Sequence, residues 1–106
     1  MTDTNYIGSI VKILETPKQK FLKNNTLITE FRVQFPQIRN NKVINLVFWG
    51  NLARDVAQYY KINDYIIIEG YLSISKKQTS KTNEVKITVL KLYPFILSGG
   101  IYNSKN

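Results

Sequence analysis

The side chains in this chain that can do chemistry are rings and cations. It carries one Trp, seven Tyr and five Phe, and 15 Lys plus Arg against 7 Asp plus Glu, for a formal charge of +8. Cations pair with phosphates or carboxylates, and flat rings stack on other flat rings. Together they can hold a nucleic-acid strand: cations follow the backbone, and stacking contributes roughly 1–3 kcal/mol per base. A small domain this basic meets a polyanion, whether nucleic acid, an anionic membrane or an acidic protein. The plainer alternative is a basic surface that serves only solubility.

Other chemistry has little to work with. With no His, the chain lacks the usual general base and the usual zinc ligand. With no Cys, it has neither a disulfide framework nor a thiolate metal site. Asp55, Asp64, Glu69 and Glu84 are scattered, without a pair spaced for acid–base work or metal binding. No Gly-rich phosphate loop is present. The expectation is a binding protein, not an enzyme, with no metal and no cofactor.

The candidates must be positioned by strands. Residues 6–14 alternate enough for a first strand, with Ile7, Ile10 and Ile13 expected inward. Phe21 and Leu22 precede a turn at Asn24-Asn25, two residues that tolerate positive φ. Residues 27–35 form a second strand, with Thr29, Phe31 and Val33 on one face and Ile28, Glu30, Arg32 and Gln34 on the other. Residues 43–49 form a third, apolar on both faces. Asn51 is expected to cap a short helix whose Leu52, Ala53, Val56, Ala57 and Tyr60 make an apolar stripe. A turn at Asn63-Asp64 leads into a fourth strand over 65–74, with Ile66, Ile68, Gly70 and Leu72 inward. Residues 75–83 read as an exposed arm, and 85–93 as a fifth strand. The fold class is therefore all-β with one short helix. A helix between strands 3 and 4 of a five-stranded set is the signature of the OB-fold barrel. Residues 1–97 make one OB-fold domain and 98–106 a short C-terminal tail.

On these elements Trp49 is the leading ring, because its parity opposes Leu46 and Phe48. The alternative puts Trp49 in the core and Phe48 outside. Tyr71 points outward if Gly70 and Leu72 point inward, and serves either stacking or a subunit interface. Phe35 shares the parity of Phe31 and Val33 and belongs to the core. The cations proposed for the groove are Lys76, Lys77, Lys81 and Lys86 on the arm and its return strand, with Arg32, Arg39 and Lys42 beside the second and third strands. A lysine-rich loop that is merely solvated is the competing reading. Lys12, Lys18, Lys20 and Lys23 extend the positive surface in directions that periodicity leaves open. Glu69-Gly70 reads as structural, with the glycine letting its strand coil sharply.

The segment L-V-F-W-G-N-L-A-R-D-V, the following Y-Y-K, and then Y-I-I-I-E-G-Y-L resemble the strand–helix–strand core of the bacterial-type single-stranded DNA-binding proteins, above all the short versions of cyanobacteria and plastids. The flanking F-R-V-Q-F-P and V-K-I-T-V-L-K-L-Y-P fit the same family, so the resemblance covers residues 5–97. It implies an OB-fold that binds single-stranded DNA with little sequence preference and that is usually a tetramer. It also implies a base-stacking role for Trp49, before the family's glycine, and for Phe21, where the early strand segment often carries an aromatic. Lys77 and Val43 occupy positions where other members carry tryptophan. The family's extension with an acidic tip has no counterpart in the closing Ser-Lys-Asn, so recruitment of replication proteins by that route is not carried over.

The expected partner is single-stranded DNA, with RNA as an alternative, and the expected state is a homo-oligomer, dimer or tetramer. A primosome-type OB-fold protein, or an interaction subunit that has lost DNA binding, is the rival. No apolar run is long enough to span a bilayer, and the N-terminus lacks a secretory pattern. Ile, Lys and Asn are abundant, and Ala occurs only at positions 53 and 57. That bias fits an AT-rich coding sequence. The expected location is the plastid stroma if the chain is organelle-encoded, and the bacterial cytoplasm otherwise.

Overall fold

β-Branched and aromatic residues at two-residue spacing set the strands, and short polar turns separate them. The structure, a computed structural model, describes residues 5–35, 43–76 and 83–95. Its elements are β1 (Tyr6–Ile13), β2 (Lys18–Phe21), β3 (Leu27–Gln34), β4 (Val43–Trp49), α1 (Gly50–Tyr59), β5 (Tyr65–Lys76) and β6 (Asn83–Pro94). The sheet order is β1-β5-β6-β4-β3-β2. β1 also pairs with β3 through Lys12↔Gln34 and Ile13↔Val33, which closes five strands into a ring. All of these pairings are antiparallel except β4 with β6. This is the expected OB-fold arrangement, with the helix between β4 and β5.

The inner face holds Val11, Ile13, Phe31, Val33, Leu46, Phe48, Ile66, Ile68, Ile87 and Val89, all buried. Phe31 and Phe48 stack with centroids 5.4 Å apart and ring planes 10° apart. α1 adds Ala53 and Val56 to the same core. The buried Thr29 hydroxyl donates to the Ala53 carbonyl at 2.8 Å, tying the helix to β3. Phe35 is buried, as its parity requires.

Two turns fall at the asparagines. Asn25 has φ 64° and Asn63 φ 77°. The first is held by Leu22 N–H donating to the Thr26 carbonyl at 2.9 Å and Thr26 N–H to Asn24 Oδ1 at 3.2 Å. Gly70 sits where the β5–β6 register shifts between Glu69 and Gly70, so that Glu69 faces Lys91 while Gly70 faces Val89. A Cβ on Gly70 would lie 2.1 Å from the Thr88 carbonyl oxygen. The absent side chain is what lets the two backbones approach at this bulge.

Four expectations are corrected. The sheet has a sixth strand: residues 18–21 pair with 27–30 as β2, a short ribbon outside the ring. Ile10 does not point inward. A spacing of three cannot keep one face of a strand, and the inward set on β1 is Ile7, Val11 and Ile13, with Ile10 paired outside to Ile67. Asn51 is not the helix cap. Trp49 is, with φ −118° and ψ 146° and no side-chain cap hydrogen bond, and Gly50 at φ 60° turns the strand directly into the helix. The strands flanking the arm also run longer than expected, to Lys76 and from Asn83.

Candidate nucleic-acid interface

Side chains of directly paired residues project from the same face of a sheet, so the register maps the outer surface. One row runs Tyr6, Tyr71, Thr88, Val47, Glu30, Lys18 across β1, β5, β6, β4, β3 and β2. A second runs Lys20, Ile28, Trp49 across β2, β3 and β4. A third runs Arg32, Asn45, Lys86, Ser73 across β3, β4, β6 and β5. Trp49, Tyr71, Arg32 and Lys86 therefore share one continuous outer surface. Phe21 does not join it. Its register partner is the core residue Leu27, so it shares the opposite face of the β2–β3 ribbon, exposed as it is.

Trp49 is 45% exposed while Phe48 is fully buried, which decides which of the two rings is outside. Beneath it, Ile28 and Val47 are 6% exposed although they belong to the outer face. They form an apolar floor beside the indole. Tyr71 is 48% exposed and meets Tyr6 edge to face at 5.3 Å. The Tyr6 hydroxyl donates to Glu69 Oε1 at 2.8 Å, and that bond raises its pKa above the ordinary tyrosine value.

Arg32 and Lys86 each face a carboxylate. β1 ends its pairing with β3 at Val33, and β2 begins its own at Glu30, which leaves an opening on the β3 edge between them. Glu15 fills it. Its Oε1 accepts the Arg32 backbone N–H at 2.9 Å and its Oε2 the Arg32 Nε–H at 2.8 Å. The backbone bond first, and then the guanidinium, hold the Glu15 carboxyl below the usual carboxylate value despite some desolvation. One row away, Lys86 Nζ lies 3.6 Å from Glu30 Oε2. Glu15, Lys18, Gln19, Lys20, Glu30, Phe31, Arg32 and Asn45 line a cleft of about 410 Å³ along this edge.

Of the other expected cations, Lys76 lies on β5 with its backbone paired to Asn83. Arg39, Lys42, Lys77 and Lys81 lie outside the described residues. Lys18 and Lys20, whose directions periodicity left open, project onto the outer face because β2 exists. The asparagine turn was the available signal, since a hairpin turn between Phe21 and Leu27 needs a strand on each side. Glu15 and Glu30 had no sequence signal as partners of these cations. Among the described residues, no group of three or more acidic side chains could hold a metal ion.

Comparison with known proteins bears on this arrangement. The model of the single-strand binding protein family matches residues 6–93. The chain belongs to that family. A ycf41 protein of Trieres chinensis, named provisionally as a single-stranded DNA-binding protein, is 42% identical over 102 residues, 88% of this chain and 90% of its own length. The thylakoid-associated single-stranded DNA-binding protein slr1034 of Synechocystis is 31% identical over 87 residues, 76% of this chain and 67% of its own. Among solved structures, the SSB domain of a Synechococcus protein superposes with a TM-score of 0.73 at 23% identity, covering 88% of this chain and 98% of that one. The second single-stranded DNA-binding protein of Mycobacterium smegmatis gives 0.73 at 20% identity, over 87% of each chain. These two structures show the shared fold, and they agree with the ring of strands described above.

Proposed function

We propose that this family member binds single-stranded DNA with little sequence preference, laid across the outer face of β2, β3, β4, β6 and β5. The observation that carries the reading is the half-exposed Trp49 on an apolar floor, on one continuous surface with Tyr71, Lys18, Lys20, Arg32 and Lys86. A base stacks on the indole, and cations on either side follow the backbone. Nothing in this set is placed to read base edges as a code. Coating and protecting exposed strands, in replication, repair or recombination, is the role such binding serves. The names of the ycf41 and slr1034 relatives support a plastid or bacterial-cytoplasmic setting.

We further propose a homo-oligomer, a dimer or tetramer, built in part on β1. Its outer residues Tyr6 and Ile10 pair with Tyr71 and Ile67, and Tyr93 lies beside them. That exterior stripe is apolar and aromatic on a chain that is otherwise strongly basic, and such patches mark association surfaces. Because Tyr71 borders both this stripe and the row leading to Trp49, a bound strand can pass from one barrel to the next.

The test is competitive binding of single-stranded and duplex oligomers across a range of salt. Single strands should win, and log affinity should fall with log salt by about 0.7 per phosphate contact. Equal affinity for duplex, or no salt dependence, would overturn the reading.

A further inference from the structure

Arg32 and Lys86 lie in one row of the outer face, and each already faces a carboxylate. Glu15 takes Arg32 Nε–H at 2.8 Å, and Glu30 Oε2 lies 3.6 Å from Lys86 Nζ. We propose that Glu15 and Glu30 are built-in competitors of phosphate: they hold the two cations in the free protein, release them to the strand on binding, and so set the affinity and salt dependence of this face. The inference rests on the proposed binding of single-stranded DNA.

Three observations support exchange over a fixed structural pairing. The pairs are open to solvent, with Arg32 and Glu15 side chains 58% and 40% exposed and Lys86 and Glu30 36% and 26%. Ion pairs this exposed are weak, so exchanging one anion for another costs little. A phosphate presents the same two-oxygen edge to a guanidinium as a carboxylate does. Lys18 and Lys20 rim the same cleft. A phosphate arriving there also gains their attraction, and a strand brings further phosphates and bases that Glu15 cannot match.

The consequence is a muted response to salt. Each phosphate contact releases about 0.7 of a counterion from a single strand. When Glu15 or Glu30 surrenders its cation, the freed carboxylate draws a solution cation back. The net release is then smaller than the number of cations on the face implies.

Glu15→Gln isolates the charge, because the amide oxygen still accepts the Arg32 backbone N–H. Asp55→Asn on the exposed side of α1 removes the same charge away from the face. Anisotropy of a labelled oligo-dT, read over a salt series, gives dissociation constants and slopes for the full-length proteins. Glu15→Gln and Glu30→Gln should each tighten binding at low salt by roughly two- to fivefold and steepen the slope, beyond any change in Asp55→Asn. The gain from Glu15→Gln should vanish in an Arg32→Gln background. Gains no larger than that of Asp55→Asn, or binding unchanged or weakened in both variants, would overturn the competition while leaving the wild-type binding intact. A wild-type protein that fails to bind oligo-dT overturns the functional reading and this inference together.

Discussion

At the scale of single residues, Trp49 is the centre of the proposed face. It closes β4 and caps α1 at once, so its backbone is pinned from both sides while its ring stays half exposed. Such a ring is positioned in advance and loses little freedom when a base stacks on it. Trp49→Ala should cost about 1–3 kcal/mol of single-strand binding and leave the thermal midpoint within a few degrees of wild type. Phe48, one residue earlier and fully buried, would show the reverse pattern, with stability falling. A binding isotherm and a melt of the same Trp49→Ala sample check both halves. Parity alone pointed to Trp49 outward but could not decide it, because Val47 and Ile28 make the outer face apolar as well. The partners of Arg32 and Lys86 were illegible for a different reason. Glu15 and Arg32 lie 17 residues apart, and only the opening between β1 and β2 on the β3 edge brings them together.

Among the elements, β4, α1 and the starts of β3 and β5 followed directly from two- and 3.6-residue periodicity and from the asparagine turns. β2 did not. Its four residues are mostly polar and all exposed, so no apolar alternation marks them, and their pairing comes from the adjacent turn. Ile10 misled because an isoleucine every third position looks like an inward series, whereas a strand alternates strictly and hides Val11 instead. Gly70 is structural, and the bulge supplies the reason. In Gly70→Ala the new methyl group would meet backbone, not a side chain that can swing away. β5 and β6 would have to part, at a cost of about 3 kcal/mol or more. For a domain of this size that corresponds to a fall in Tm of roughly 12 °C or more. Differential scanning calorimetry checks it, and a variant melting with the wild type would mean that the two strands separate easily at the bulge.

For the whole molecule, the closed ring and the charge of +8 are complementary. Closure leaves few unpaired strand edges, so a basic chain can expose a broad sheet surface to a polyanion without inviting edge-to-edge aggregation. The apolar stripe on β1, β5 and β6 is the part that closure does not explain. Sedimentation velocity at micromolar concentration should show more than the 12.3 kDa chain, with a tetramer of four chains near 49 kDa or a dimer at half that. A monomer unchanged by added oligonucleotide would leave the stripe without an oligomeric role. Family resemblance and surface tyrosines lead only to the expectation of an oligomer, and the stripe proposed for it needs the register, which alone shows that Tyr6, Tyr71, Ile10, Ile67 and Tyr93 adjoin one another.

The most direct test uses the fact that Trp49 is the only tryptophan in the chain. Its fluorescence, followed during titration with a single-stranded oligo-dT at low salt, reports on the proposed stacking site and nowhere else. Saturable quenching, reversed by added salt and absent with a duplex of the same length, is the predicted result. Binding detected on the oligonucleotide while the indole emission stays unchanged would contradict the placement of the strand across this face.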